Sequence, residues 1–240
     1  MSSGIYSTLS GNLARMQALE SFTNNLANAN TFGFKKDRIT FESYLSDASQ
    51  TSTNKGLNFT KLQGGFIDFS PGSSQITGNP LDLALDGEGF FKVRRNDEFL
   101  YTRAGNFQRD ADNNLITESG LEVVGSNGQP IIIDADDFTI DQDGKIYSEG
   151  SEIGQIDIFA VDELSLLTKE GEGLFSMPPD KPDRPAENTK VLQGYLEASN
   201  VNMMEEMVLM MEALRAFEAH QKMVKNYGRI GSKLDELGSL

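Results

Sequence analysis

Apolar positions follow two different rhythms along this chain. At the N-terminal end Ile5, Leu9, Leu13, Met16, Leu19, Phe22 and Leu26 recur at steps of four and three. That spacing places them on one stripe of a helix predicted over residues 3–30, with Ser2 or Ser3 to cap its start. At the other end Met203, Met207, Met210, Leu214, Phe217 and Val224 fall at heptad steps, and Met204, Val208 and Met211 widen the stripe. A second, longer helix is predicted there. Ser199 and Asn200 are its candidate N-caps, and Glu205 and Glu206 sit in the early turns where the helix dipole favours acids.

Between the helices the period drops to two. Residues 46–79 are rich in Ser, Thr, Gly, Asn and Gln and predict a long extended connection. From about 81 to 161 come short alternating runs such as LDLAL, GFFKVRR, LEVVG, PIIID and QIDIFAV. Asn127-Gly128 and Asp143-Gly144 are hairpin turns between such runs. The stretch 178–188 holds four of the seven prolines and predicts a loop.

The predicted fold class is α+β. N- and C-terminal amphipathic helices pair as an antiparallel coiled coil, with a central all-β domain inserted between them. Residues 1–34 form the N-terminal helix of the coiled-coil core domain and 35–79 the extended linker. Residues 80–190 form the central β-rich domain, and 191–240 the return segment and C-terminal helix. Neither stripe buries its apolar face alone, and isolated helices are marginal in water. A helix pair still leaves apolar surface uncovered, which points to packing against other copies or relatives.

Charge sharpens this division. The net charge of −15 is not evenly spread. Residues 3–30 sum to zero and 199–240 to −1 (six acids, five bases), so 31–198 carries −14 (29 acids, 15 bases). Near-neutral ends can pack closely while an acidic middle stays in water. The acidic balance excludes nucleic acid as a partner, because phosphate binding needs a basic footprint. No apolar run approaches membrane-spanning length, so no membrane insertion is expected. The start MSSGIYSTLSGNLAR lacks the charge and apolar block of a cleaved secretory signal.

Candidate chemistry is sparse. The absence of cysteine removes disulfides, thiolate metal sites and cysteine nucleophiles together. DGEGFF at 86–91 has no third glycine and no following helix, and reads as a turn in a β meander. Asp110, Asp112 and Asn114 imitate the start of a calcium loop, without its glycine or closing glutamate. Asp141 and Asp143 are explained by turn chemistry. His220, the sole histidine, lies among Glu218, Gln221 and Lys222 and reads as a solvated or interface residue. No catalytic residue, cofactor, metal or small-molecule substrate is expected.

Three stretches together resemble the flagellar rod and hook family of axial proteins. They are GIYSTLSGNLARMQALESFTNNLANANTFGFKKDR at 4–38, TGNPLDLALDGEGFFKV at 77–93 with YTRAGNFQRDADNNLIT at 101–117, and LEASNVNMMEEMVLMMEALRAFEAHQKMV at 196–224. Within the family the compact length and the FIDFSPGSSQITGNPLDLALDGEGFF passage look most like its proximal rod members, with distal rod members the alternative. A secreted β-rich carbohydrate-active or calcium-binding protein is the alternative from another class. Phe32, Met203 and Leu214 depart from residues common in the family at those places. The resemblance implies a structural subunit of the bacterial flagellar basal body, packed through its terminal helices into a hollow torque-transmitting rod. It implies self-association and contact with other rod proteins. It also implies passage through the flagellar type III export apparatus without a cleaved signal peptide.

The stretch NNLANANTFGFKKDR, residues 24–38, has no nucleophile–base pair and reads as a helix stop. Asn28 and Asn30 tolerate left-handed or cap conformations, Gly33 permits a turn, and Phe32 and Phe34 pin the departing chain. The subunit interface is expected to include Leu9, Leu13, Met16, Phe22, Asn25, Leu26, Asn28, Asn30, Gly33 and Phe34. From the C-terminal part it is expected to include Asn200, Asn202, Met207, Met210, Met211, Leu214 and Phe217. Amides hydrogen-bond across a crowded interface without carrying charge into it.

Overall fold

The computed structural model describes residues 2–45, 58–125, 128–178, 180–181, 183–186 and 188–238. The chain is α+β, with helix α1 at Ser2–Ala27, helix α2 at Met203–Gly238 and short strands between them. It divides into two compact units. One contains residues 1–27, 37–68 and 202–240; the other contains 28–36 and 69–201.

The first unit is built from α1, α2 and two strands, β1 (Asp37–Leu45) and β2 (Asn58–Ile67). The strands pair antiparallel from Asp37↔Ile67 to Leu45↔Asn58, with a register shift between Thr40 and Phe41. They occupy much of the stretch expected as an extended connection. The β-formers Ile39, Thr40, Phe41 and Tyr44 explain the difference, since the surrounding polar texture masks their propensity. A lone hairpin is marginal in water, and here it packs against α1.

The buried face of α1 is small and partly polar. Thr8, Gly11, Ala14, Ala18 and Asn25 recur at steps of three, three, four and seven and are buried. Among the described side chains of α2 the buried positions are Glu206 and Ala213, and the ring of His220 lies seven residues further on. A Cβ added at Gly11 would sit 3.2 Å from Cε1 of that ring. Leu9, Leu13 and Met16 are exposed instead. The expectation that the large apolar stripe lines the intrachain helix contact is therefore corrected. Small residues let helix backbones approach closely, and bulky ones on that face would hold them apart. Ile5 and the proposed Ser2 or Ser3 cap fall outside the described side chains.

α2 starts at Met203, so its cap lies two residues after Asn200 and three after Ser199. Asn202 is the residue at the cap: its Oδ1 accepts the N–H groups of Met204 (3.1 Å) and Glu205 (3.4 Å). Asn200 is engaged elsewhere, as described below.

The second unit is a β structure. Strand β3 (Ser74–Ile76) pairs with Tyr195–Glu197, and β4 (Leu83–Asp86) with Lys190–Gln193. A larger sheet centres on β5 (Phe90–Arg95) and β6 (Glu98–Thr102), antiparallel from Phe91↔Thr102 to Arg95↔Glu98. Residues near 195 thus return to pair with residues near 75. Leu83, Phe91, Val93, Phe107, Val123 and Ile146 belong to one apolar core, and the rings of Phe91 and Phe107 meet edge-on at 5.0 Å. The turn at Asp143-Gly144 connects a pair of antiparallel strands, with Gly144 at φ +81°. Asn127 of the other expected turn lies outside the described residues.

Candidate functional site

A buried amide, Asn25, ties the end of α1 to the start of β1. Asn25 is fully buried, and its Oδ1 accepts the Asp37 N–H at 2.9 Å. Its Nδ2 donates to the Asp37 carbonyl at 2.9 Å and to Glu206 Oε2 at 3.3 Å. One side chain therefore satisfies both backbone groups at the start of β1 and a buried carboxylate on α2. A neutral donor–acceptor group fits all three partners, whereas aspartate would face Glu206 with like charge.

Residues 28–36 then make a tight turn within the second unit. The Thr31 N–H donates to the Asn28 carbonyl at 3.1 Å, and Thr31 Oγ1 to Asn28 Oδ1 at 3.2 Å. Gly33 lies at φ +67°, and a Cβ there would come within 2.2 Å of the Ala104 nitrogen. Its N–H donates to the Glu197 carbonyl at 2.8 Å. Phe34 is buried, with the Lys169 ammonium 4.4 Å from its ring centre. Asn200 closes the turn from the other side. Its Oδ1 accepts the Lys36 N–H at 2.8 Å, and its Nδ2 donates to the Ser70 carbonyl at 3.1 Å.

Beneath this turn lies a buried ionic group that the sequence reading did not single out. Lys35 is 1% exposed, and its Nζ donates to Glu197 Oε1 at 2.5 Å and to the Ser70 carbonyl at 3.0 Å. The same Oε1 accepts the Gly72 N–H at 2.9 Å. Arg103 donates to Glu197 Oε2 at 3.3 Å and to the Gly87 carbonyl at 2.7 Å. Burial lowers the Arg103 pKa from its ordinary value, and the Glu197 and Glu88 carboxylates oppose that shift. Glu197 thus gathers donors from residues 35, 72 and 103. Arg103 in YTRAGNF and Glu197 in LEASN each stand alone in an uncharged run, whereas Lys35 sits in the charged run KKDR and carries no such mark.

The other feature of note is surface. On α1, Leu9, Leu13 and Met16 are exposed, Leu13 to 58%. On α2 the same holds for Met203, Met204, Met207, Val208, Met211, Leu214, Met223 and Ile230, with Met204 at 72%. Phe22, Leu26, Met210 and Phe217 are half-buried, Asn28 is partly buried and Asn30 is exposed. Of the residues expected at a subunit interface, Asn25, Gly33 and Phe34 lie buried within their own units, and the Asn200 and Asn202 side chains bond within their own units. Large apolar groups exposed along helices at this density are unusual for an isolated soluble surface.

The remaining candidates resolve into structural roles. Asp110 Oδ1 accepts the N–H groups of Asp112 (2.9 Å) and Asn114 (2.8 Å), and Oδ2 accepts the Asn114 amide. The Asn114 side-chain bond leads the causes that lower the Asp110 pKa below its ordinary value. Among the described residues no group of three or more His, Cys, Asp or Glu is placed to hold a metal ion. Among them, too, no helix is long and apolar enough to cross a membrane.

Comparison with known proteins gives the surface and the ionic group a common context. Three family models match this chain. The flagella basal body rod protein model covers residues 5–35, the flagellar hook protein FlgE/F/G D1 domain covers 84–148, and the flagellar basal body rod FlgEFG protein C-terminal model covers 192–237. Lys35, Arg103 and Glu197 fall one in each. The chain is 31% identical to the flagellar basal-body rod protein FlgF of Caulobacter vibrioides, over 100% of both chains. It is 35% identical to FlgG of Bacillus subtilis, over 97% of this chain and 98% of that one, and 27% identical to FlgF of Rhizobium meliloti over 99% of each. Full-length similarity at this level, with all three regions in order, means that the chain belongs to the flagellar basal-body rod protein family.

Proposed function

We propose that this protein is a non-enzymatic structural subunit of the flagellar basal-body rod, of the FlgF-like proximal type. α1 and α2 pair as an antiparallel coiled coil. The Asn25–Glu206 bond and the approach of His220 to Gly11 support this pairing, since ascending positions on one helix meet descending positions on the other. The β domain is inserted between the two helices. Leu9, Leu13 and Met16 with Met203, Met204, Met207, Met211 and Leu214 form the surface that meets neighbouring copies and other rod proteins. The exposure of these side chains is the observation that carries the reading. Burying one such side chain is worth about 1.5–3 kcal/mol, so a few per interface suffice to hold neighbours. Subunits leave through the flagellar type III apparatus and act in the rod that crosses the periplasm.

Replacing Leu13 and Met207 together by aspartate tests this. Both positions are exposed, so the monomer keeps its circular dichroism spectrum and melting temperature. Rod assembly and swimming are lost in a strain carrying only the variant. Normal motility with the doubly charged surface would contradict the reading.

The 35% identity to FlgG favours one second reading, a distal rod subunit. Complementation separates the two. A proximal subunit restores motility to a strain lacking FlgF and not to one lacking FlgG.

A further inference from the structure

Sulfur is concentrated on the outward side of one helix. Six of the nine methionines, Met203, Met204, Met207, Met210, Met211 and Met223, lie on α2. All of these except Met210 are among the exposed large side chains, as is Met16 on α1. The chain has no cysteine and no tryptophan. The thioethers are therefore its most readily oxidised groups, and the accessible ones sit where neighbours are proposed to dock.

We propose that these methionines are a reversible oxidation site that controls self-association. The inference rests on the assembly reading given above. The occupant of the surface is a second copy of this chain. Charge supports that choice, because residues 199–240 sum to −1 and 3–30 to zero, whereas 31–198 carries −14. Two copies approach through their neutral ends with little repulsion, and through their middles only against it.

The chemistry needs a peroxide. A methionine sulfur attacks one peroxide oxygen, and the O–O bond breaks. The sulfur gains that oxygen as a sulfoxide, and the other oxygen leaves as water after proton transfer. The sulfur loses two electrons and the peroxide gains them. A flexible apolar side chain becomes a polar one carrying a strong acceptor. Burying that acceptor in an apolar contact leaves it without a donor. Sulfoxide reductases restore the thioether.

The test uses the full-length chain, hydrogen peroxide as oxidant, and sedimentation to measure self-association. Peptide mass spectrometry identifies which methionines gain oxygen. Met203, Met204, Met207 and Met211 should oxidise in the free chain and be protected in associated material. Oxidation should weaken association by about tenfold or more. A variant with Met203, Met204, Met207, Met210 and Met211 all replaced by leucine keeps volume and apolarity. It should associate normally and resist peroxide. Undiminished association of fully oxidised wild-type chain would overturn the inference alone, and so would equal peroxide sensitivity in the leucine variant. An untreated chain that fails to associate would contradict the assembly reading and remove the basis of this inference with it.

Discussion

Replacing Glu197 by alanine should be the most damaging single change in the β unit. The side chain is 3% exposed and is bound to Lys35 and Arg103. Removing it leaves two buried cations without that carboxylate and takes the acceptor from the Gly72 N–H. Breaking one buried ion pair costs about 3–5 kcal/mol, because the surviving charge stays out of water. An orphaned backbone donor adds about 1–3 kcal/mol, less whatever relaxation recovers. A domain's whole stability is about 5–15 kcal/mol, so the variant should lie near the margin of folding. Glu197→Gln keeps acceptor capacity without charge and should fall between wild type and alanine. Replacing all three of Lys35, Arg103 and Glu197 by apolar residues of similar volume should be milder than Glu197→Ala, because no charge is stranded. Urea unfolding followed by far-ultraviolet circular dichroism and tyrosine fluorescence measures each step. A loss below about 1 kcal/mol for Glu197→Ala, or a triple variant less stable than it, would refute the reasoning.

Asn25→Asp should destabilise the first unit by about 3 kcal/mol near neutral pH, by setting a second carboxylate against Glu206; adding Glu206→Gln should recover much of the loss in the same urea assay. Gly33→Ala combines a left-handed backbone with a Cβ 2.2 Å from the Ala104 nitrogen, so poor soluble expression and a broadened melting transition are expected, with an unchanged melting temperature counting against the turn as described. Burial, with the Asp183 bond second, raises the Tyr101 pKa above its ordinary value. The neutral phenol is the form favoured by folding, so its contribution is complete below the unfolded pKa and declines as pH rises through the folded one. Alkaline spectrophotometric titration should show one tyrosine that ionises after the others, and Tyr101→Phe should remove that late step.

Much of the architecture was legible in the sequence because periodicity is local. Steps of three and four marked α1, heptads marked α2, and alternation marked the β runs. Which face turned inward was not legible. Leu9, Leu13 and Met16 are the larger apolar groups, yet Gly11, Ala14 and Ala18 are the ones buried. Hydropathy ranks side chains by size as well as polarity, while close packing of helices selects small ones. The hairpin β1–β2 was hidden because Ile39, Phe41 and Tyr44 border a polar stretch. The buried ionic group was hidden for another reason. Lys35 and Glu197 are 162 positions apart and Arg103 and Glu197 are 94 apart, and a charged residue read alone is assigned to water. Asn25 stands in a conspicuous run of asparagines, and its partners Asp37 and Glu206, distant in sequence, give it a structural task inside the chain. Two asparagines near the start of α2 are indistinguishable as caps from sequence, but Asn200 is occupied by Lys36 and Ser70, leaving Asn202 to cap the helix.

The absence of cysteine allows a direct test of assembly through the helix faces. Single cysteines at Leu13, Met207 and Leu214, and at Glu172 on a β-unit turn as control, are introduced one at a time into the otherwise cysteine-free chain. Basal bodies isolated from motile cells are treated with a short bifunctional thiol reagent, and chain-to-chain products are resolved by electrophoresis. Burial of the helix faces against neighbours predicts cross-linked dimers, or products with other rod proteins carrying a thiol, or marked protection of the thiol from labelling, at positions 13, 207 and 214. It predicts a freely labelled, uncrosslinked thiol at 172. Thiols at 13, 207 and 214 that label in the assembled rod as fast as in the free monomer would contradict assembly through these faces.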